Sequence, residues 1–212
     1  MDGPLYSKEP ADPRLYQVRF DTFYTRTARL YDFGVKVLPV WKTWLRQALP
    51  FIQGPRVLEV SFGTGYFLTQ YASRFETHGI DYNARMVAIA RRNLAKRGMS
   101  ADLREGNVEE LPYEDGYFGT VTNTMALSGY PDGQRAMSQM RRVLKPGGRL
   151  VLIDVNYPTD RNWLGMRLTR CWQHFGDVVR DVGRLLAEHG FEYQDTEIGG
   201  FGSIHMYICH RS

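Results

Sequence analysis

The order of apolar and polar positions from residue 56 onwards predicts strands that alternate with helices. Five short apolar runs predict strands, at 56–60, 76–80, 101–104, 118–123 and 149–154. Patterns typical of helices occupy 65–74, 84–97, 133–143 and 177–189. Such alternation favours an α/β fold, with a mostly parallel sheet and helices on both of its faces.

The two ends of the chain have different patterns. Two late strands near 191–198 and 204–209 are joined by the glycine-rich link 199–203, which suits an antiparallel hairpin. Residues 1–14 are rich in Pro, Gly and charge and predict a mobile tail, and 15–50 predict an aromatic helical cap. We expect one domain over 1–212, in which 1–50 is tail and cap, 51–155 the alternating core, and 156–212 C-terminal helices and antiparallel strands.

Composition and charge exclude several classes of protein. The 212 residues carry a net charge of +4 without a block of like charge, so we expect no nucleic-acid partner. The two cysteines have no CxxC spacing, which predicts neither a disulfide framework nor a metal site. The N-terminus lacks the apolar segment of a signal peptide, and no apolar run reaches membrane-spanning length. A cytoplasmic location is therefore predicted.

The most informative run is VLEVSFGTG at 57–65. An apolar strand pattern contains one acid, Glu59, and ends at Gly63 and Gly65, after which a helical pattern begins. A strand that turns through glycines into a helix allows backbone N–H groups to approach a ligand closely. The alternative is that the glycines serve only a tight turn.

Asp81 ends the second predicted strand, just under twenty residues after Gly63. In dinucleotide-type folds an acid at this place accepts hydrogen bonds from the ribose hydroxyls. The alternative is that Asp81 caps the helix that begins near Arg85. After the third predicted strand, a polar residue, Asn107, and its apolar neighbour Val108 are suited to bracket an adenine ring.

Four runs resemble class I S-adenosylmethionine-dependent methyltransferases, in the type 11 branch of the ubiquinone/menaquinone-biosynthesis C-methyltransferases. They are VLEVSFGTGYF, GIDYNARMVAIARRN, EGNVEELPYEDGYFGTVTNTMAL and RRVLKPGGRLVLIDV, in order over 56–155. The resemblance implies a Rossmann-like seven-stranded, mostly parallel sheet with an antiparallel last strand. It also implies S-adenosyl-L-methionine as the cofactor and S-adenosyl-L-homocysteine as the product.

The resemblance also implies roles for individual residues. The methionine part of the cofactor is surrounded by the first glycine turn, the ribose is held by the acid after the second strand, and the adenine lies beside the following residues. The positions are Glu59, Ser61, Gly63, Gly65, Asp81, Tyr82, Met86, Asn107, Val108 and, closing the site after the fourth strand, Asn123.

Three positions depart from the family pattern. Ser61 replaces the first glycine of the turn, so we expect its backbone to avoid a conformation that only glycine adopts. Asn107 replaces an Asp, and its amide oxygen accepts a hydrogen bond without charge. Gly119 replaces an Asp after Phe118. On physical grounds none of these abolishes cofactor binding.

The methyl acceptor is the part of the predicted reaction that the sequence determines least. We predict a small or amphiphilic acceptor, such as a lipid, quinone, amine or other small molecule. Predicted substrate-binding residues are Tyr24, Tyr31, Ser128 and Tyr130, and predicted catalytic residues are His205, Asp154 and Tyr157. Each has an alternative: a structural histidine, a turn-capping aspartate and tyrosines that pack in the core or a lid.

Two clusters of Trp and basic residues allow either peripheral membrane contact or lid packing. They comprise Trp41, Lys42, Trp44 and Arg46, and then Trp163, Arg167, Arg170 and Trp172.

The predicted function is methyl transfer by in-line displacement. The alternative is a non-catalytic regulatory protein of the same fold that binds S-adenosylmethionine or a nucleotide.

Overall fold

The computed structural model describes residues 5–16, 18 and 40–211. The helices are α1 Val40–Arg46, α2 Leu68–Tyr71, α3 Ala84–Ala95, α4 Gly133–Val143, α5 Trp163–His174 and α6 Val182–Glu188. The strands are β1 Arg56–Val60, β2 Glu76–Asp81, β3 Asp102–Glu105, β4 Phe118–Thr124, β5 Leu144–Val155, β6 Phe191–Gly199 and β7 Ile204–Arg211. None of the described helices is both long and apolar enough to cross a membrane.

The strands form one sheet in the order β3-β2-β1-β4-β5-β7-β6. β1 pairs in parallel with β2 on one side and β4 on the other, so the strand order reverses between β1 and β4. β7 is antiparallel to both of its neighbours, β5 and β6. The predicted sheet, mostly parallel with an antiparallel last strand, is confirmed. In such sheets ligands bind at the carboxyl ends of the strands beside the reversal.

The central strands β1, β4 and β5 are buried on both faces, as their apolar runs predicted, whereas the edge strand β6 is largely exposed. Successive residues of a strand point to opposite faces: Leu58 packs in a cluster with Met140 of α4, and Val57 packs in a second cluster with Leu94 of α3. The helices therefore cover the sheet on two sides.

Several boundaries differ from the prediction. The helix predicted at 65–74 is reduced to α2 and a 3-10 turn at Ala72–Arg74, because Tyr71 has φ −140° and ψ −11°, outside the helical region. The helix predicted at 177–189 begins at Val182, where the Asp181 side chain accepts a hydrogen bond from the Arg184 N–H. β5 starts at Leu144 rather than at 149, with a register shift against β4. α5 was not predicted as an element.

Residues 5–9 of the N-terminal segment contact the body of the protein. We predicted a mobile tail at 1–14, but Ser7 donates its N–H to the Val179 carbonyl at 2.9 Å, and Glu9 pairs with Arg180. Of the predicted cap, α1 is described, whereas Tyr24 and Tyr31 lie outside the described residues.

Three of the four tryptophans pack against the protein. Trp41 meets the Tyr66 ring edge-on at 5.0 Å, a Cβ on Gly199 would overlap the Trp44 indole, and Trp172 packs against the core. Trp163 alone is strongly exposed, at 67%.

Candidate active site

The predicted cofactor-binding residues meet along the carboxyl ends of four neighbouring strands. Asp81 is the last residue of β2, Ser61 follows β1, Asn107 follows β3, and Asn123 lies in β4 opposite Val60. Because these strands are adjacent and parallel, residues far apart in sequence border one edge of the sheet.

Asp81 is the polar centre of this edge. Its carboxylate accepts hydrogen bonds from the backbone N–H of Gly63 at 2.8 Å and of Asn83 at 2.9 Å. Burial raises the pKa of Asp81, and the two N–H donors oppose that shift. Each carboxylate oxygen keeps a lone pair with which to accept from a ribose hydroxyl. The alternative capping role belongs to Asn83, whose side chain accepts from the N–H groups of Arg85 and Met86.

The two glycines of the turn serve different purposes. Gly63 has φ +54°, and a Cβ there would meet nothing within 4 Å, so open space adjoins the turn at the residue whose N–H binds Asp81. Gly65 has φ +73°, and a Cβ there would lie 2.8 Å from the Cβ of Ala90 in α3. Gly65 therefore permits α3 to approach the turn.

We expect Gly65→Ala to lower the free energy of unfolding by about 2 kcal/mol, since the methyl group must displace α3 in addition to adopting a left-handed backbone. Gly98→Ala is the matched control, because Gly98 has φ +66° but open space around it. Urea unfolding of both variants measures the difference. Equal losses would show that contact with Ala90 contributes nothing.

Ser61 adopts a left-handed backbone conformation, which is uncommon but accessible for residues other than glycine. Its φ is +54°, in the left-handed region that favours glycine. The Ser61 N–H donates to the Ile80 carbonyl at 2.7 Å, and its hydroxyl lies 2.8 Å from the Tyr130 hydroxyl. These contacts hold a serine in this conformation, and they join the cofactor turn to the segment after β4.

The adenine side combines apolar and polar groups. Tyr82 is 55% exposed, Met86 is half-buried, and Val108 is buried at the start of a 3-10 turn. The Asn107 side-chain oxygen accepts from the Glu109 N–H at 3.0 Å, so one lone pair remains for an adenine amino group. The open space at Gly63, the Asp81 carboxylate and these flat or apolar surfaces fit the adenosine part of S-adenosylmethionine.

Glu59 is buried inside the sheet, at 1% exposure, where the Tyr71 hydroxyl donates to its Oε2 at 2.7 Å. Burial raises the pKa of Glu59 to about 8, and the Tyr71 hydrogen bond opposes that shift. A carboxyl group with so high a pKa holds its proton at neutral pH. It would lose that proton, and become negatively charged, when a cationic group such as the ammonium of a methionine moiety approaches.

The raised pKa of Glu59 makes stability depend on pH. The folded protein keeps this proton up to about pH 8, whereas the unfolded chain loses it near the ordinary value of 4.5. Between these values the folded state binds more protons, so the free energy of unfolding falls as pH rises. We expect Glu59→Gln to reduce this fall between pH 5 and 8 by about 2 kcal/mol. Denaturant unfolding at both pH values tests this, and parallel pH profiles for the two proteins would contradict it.

A second polar group lies at the carboxyl end of β5 and in the segments that follow β4 and α5. Ser128 donates its N–H to Asp154 at 3.1 Å and its hydroxyl to Asp177 at 2.9 Å. Burial raises the pKa of both carboxyl groups, that of Asp177 to about 7. Nearby, the Tyr130 hydroxyl accepts from the Asn123 amide at 2.5 Å. Three of the predicted residues, Ser128, Tyr130 and Asp154, thus lie together.

The geometry of His205 favours a structural role. Its Nδ1 lies 2.7 Å from the Asp195 carboxylate, and its Nε2 lies 3.1 and 3.0 Å from the carbonyl oxygens of Tyr157 and Gly202. Both ring nitrogens therefore face acceptors within the protein. The Tyr157 hydroxyl donates to the Gln173 side chain of α5 at 2.7 Å.

Sequence reasoning missed Asp177 and Arg180. Buried Arg180 forms a two-pronged ion pair with Glu9, both contacts at 2.7 Å, and donates to the carbonyls of Leu127 and Tyr130. Both missed residues lie in a segment that the pattern assigned to a helix, and Glu9 is 171 positions away. No local signal identifies such a pairing.

The strand order, the antiparallel β7 and the acid that ends β2 define a class I methyltransferase fold with a nucleotide-cofactor site. A family described as a methyltransferase domain matches residues 58–152. The ubiquinone/menaquinone biosynthesis C-methyltransferase UbiE of Serratia proteamaculans is 30% identical over 187 residues, which cover 82% of this chain and 72% of that protein. The chain belongs to the S-adenosylmethionine-dependent methyltransferases, in the branch that includes UbiE. This confirms the predicted cofactor.

Other relatives match over a smaller part of their length. UbiE of Idiomarina loihiensis is 28% identical over 172 residues, or 78% of this chain and 66% of that protein. The demethylmenaquinone methyltransferase of Thermus thermophilus is 34% identical over 141 residues, or 64% and 62% of the two chains. The chain therefore spans slightly less than two thirds of these two relatives.

A solved structure confirms the fold over most of the chain. The S-adenosylmethionine-dependent methyltransferase of Thermotoga maritima, described as a possible histamine N-methyltransferase, superposes with a TM-score of 0.72 at 20% identity. The match covers 90% of this chain and 99% of that one. At this identity the likeness concerns the fold and not the acceptor.

Proposed function

We propose that this protein transfers a methyl group from S-adenosylmethionine to an amphiphilic, quinol-type acceptor. The observation that carries the proposal is the contact between the Ser61 and Tyr130 hydroxyls at 2.8 Å. This contact joins the glycine turn of the cofactor site to the segment that contains Ser128, which we call the acceptor side. The acceptor side therefore adjoins the turn, where we expect the methyl group of the cofactor. An enzyme of this family needs that adjacency for in-line transfer.

The acceptor class is supported by the relatives. The names of the Serratia and Thermus proteins assign them to ubiquinone/menaquinone biosynthesis and to demethylmenaquinone methylation. A quinol combines a flat, hydroxylated ring with an apolar chain. The buried Ser128–Asp177 pair offers polar partners to such a ring, and Tyr157 together with α5 offers an apolar boundary.

Bound S-adenosylmethionine supplies an electrophilic methyl group on a positively charged sulfur. Asp81 and the glycine turn hold the adenosine part, and the buried surroundings of Ser128 exclude water. A quinol carbon or oxygen that accepts a methyl group must lose a proton. We assign that proton to the Asp177 carboxylate, reached through the Ser128 hydroxyl, because the pKa of Asp177 is raised to about 7. In this proposal Asp154 positions Ser128 through its N–H.

The test supplies methyl-labelled S-adenosylmethionine and a short-chain naphthoquinol without the ring methyl group. We expect label in the organic phase only when a reductant keeps the acceptor as the quinol, because the oxidised quinone is not a nucleophile. We also expect the turnover rate of Asp177→Asn to lose its rise through pH 7 while cofactor affinity is retained. Asp115→Asn, on the exposed surface, is the matched control.

Label in the aqueous or macromolecular fraction of a whole-cell extract would overturn the acceptor class. Cofactor binding in calorimetry without transfer to any fraction would instead support the non-catalytic alternative. The two results are distinct, because the first retains turnover and the second does not.

A further inference from the structure

Helix α5 exposes a stripe of apolar side chains that the methyl-transfer site does not use. Leu164, Leu168, Cys171 and Phe175 are spaced by four, three and four residues, which places them on one side of the helix. Phe175 is 50% exposed and Leu168 is also exposed. Such a stripe on the surface of a soluble domain is characteristic of a contact with an apolar partner.

Cationic residues border this stripe. Arg167, Arg170 and His174 lie along the adjacent exposed side of α5, together with Trp163. The sequence contains no Asp or Glu from residue 163 to 176. A helix with an apolar stripe, flanking arginines and an exposed Trp suits the interface of an anionic bilayer.

Phe201, in a loop next to the first turn of α5, is a further exposed apolar residue. It is 63% exposed and has φ +54°, an unfavourable conformation for a bulky residue. Its carbonyl accepts from the Asn162 side chain at 2.9 Å, and a Cβ on Gly165 would overlap that carbonyl. The loop is therefore held against the first turn of α5, with an exposed aromatic ring beside it.

The buried side of α5 borders the acceptor side of the site. Thr169 donates its hydroxyl to the Asn156 carbonyl at 2.8 Å, and the Gln173 side chain accepts from the Tyr157 hydroxyl. One helix thus separates the residues after β5 from the exposed apolar stripe. An acceptor that leaves a bilayer at this helix has a short path to the site.

We propose that the α5 face, defined as Trp163, Leu164, Arg167, Leu168, Phe175 and Phe201, docks on an anionic lipid surface and receives an amphiphilic acceptor there. The delivery step rests on the proposed function, whereas the docking does not. A second copy of this chain is disfavoured as the occupant, because a twofold contact would bring Arg167 of one copy close to Arg167 of the other. The net positive charge of the face complements phosphatidylglycerol headgroups.

Sedimentation with vesicles tests the docking. The full chain should bind vesicles of equal parts phosphatidylglycerol and phosphatidylcholine, and bind vesicles of phosphatidylcholine weakly. Leu168→Gln combined with Phe201→Ser should reduce binding about tenfold. Arg167→Glu should reduce it similarly, whereas the matched control Arg92→Glu, on the exposed side of α3, should leave it near wild type. Calorimetric S-adenosylmethionine affinity verifies that each variant is folded.

The outcomes separate docking from catalysis. Vesicle binding that the variants lose supports docking, even when no acceptor is methylated. Absence of binding by the wild-type chain, or equal binding by the Leu168→Gln/Phe201→Ser variant, overturns it, even when a dispersed short-chain quinol is methylated. A wild-type dimer that this variant dissociates, without vesicle binding, would assign the face to self-association and also overturn it. If both proposals hold, the variants lose transfer to vesicle-embedded acceptor and keep transfer to dispersed acceptor.

Discussion

Asp81→Ala is expected to weaken S-adenosylmethionine binding about a hundredfold, or ~2.7 kcal/mol, as measured by isothermal titration calorimetry. The substitution removes the carboxylate that would accept from the ribose hydroxyls, and a hydrogen bond to a charged group contributes about 1.5–3 kcal/mol. It also leaves the N–H groups of Gly63 and Asn83 without their acceptor, which loosens the turn around the cofactor.

Two further variants make the Asp81 result specific. Asp81→Asn keeps one acceptor oxygen and should weaken binding less than Asp81→Ala does. Asp102→Ala removes an acid at the opposite end of neighbouring β3, where it pairs with Arg104, and should leave cofactor affinity unchanged. Affinity of Asp81→Ala equal to wild type, in a variant that still unfolds cooperatively, would remove Asp81 from the cofactor site.

Arg180→Ala should lower the free energy of unfolding by about 3 kcal/mol, because it breaks the ion pair of a buried arginine with the half-exposed Glu9 and leaves two carbonyls without donors. Arg180 joins Glu9 of the N-terminal segment to Leu127 and Tyr130, in the segment that we propose as the acceptor side of the site. We therefore expect the KM for the acceptor to rise more than the dissociation constant of the cofactor. Urea unfolding and steady-state kinetics measure the two effects.

Arg184→Ala is the matched control for Arg180→Ala. Arg184 lies four positions later and pairs with Glu188 on the surface, where a salt bridge contributes little. Its removal should leave both stability and kinetics near wild type. Gly133→Ala is a second probe, since a Cβ on Gly133 would overlap the Arg180 guanidinium and displace it without removing its charge. Wild-type stability in both Arg180→Ala and Gly133→Ala would contradict the role assigned to this arginine.

The sheet, and the edge of it that carries the predicted cofactor-binding residues (the cofactor edge), could be predicted because each depends on residues that are close together in the sequence. A buried strand, a glycine turn and an acid at the end of the next strand each occupy a few consecutive residues, and a parallel sheet brings such turns together. Asp81 and the Gly63 turn therefore lie at the strand ends that the sequence pattern predicts, whereas Asn123 lies inside β4 rather than after it. The left-handed conformation of Ser61 was not predicted, because its hydroxyl contact with Tyr130 depends on a residue 69 positions away.

The acceptor side was less predictable because its contacts are not local. Asp177 and Arg180 have ordinary neighbours in the sequence, and only the folded chain shows that their partners are Ser128 and Glu9. The catalytic prediction for His205 considered its position after the glycine loop but not the acceptors around it. Burial and pairing of polar groups are properties of the packed structure.

The ion pair between Glu9 and Arg180 joins two segments that leave the ribosome at different times. Residues 5–16 emerge before the strands of the sheet, and Arg180 emerges 171 positions after its partner Glu9. Closing so long a loop is entropically unfavourable before the intervening sheet has formed. We therefore expect a nascent chain to form the cofactor edge first, and to close its acceptor side only after the segment around residue 180 has left the ribosome.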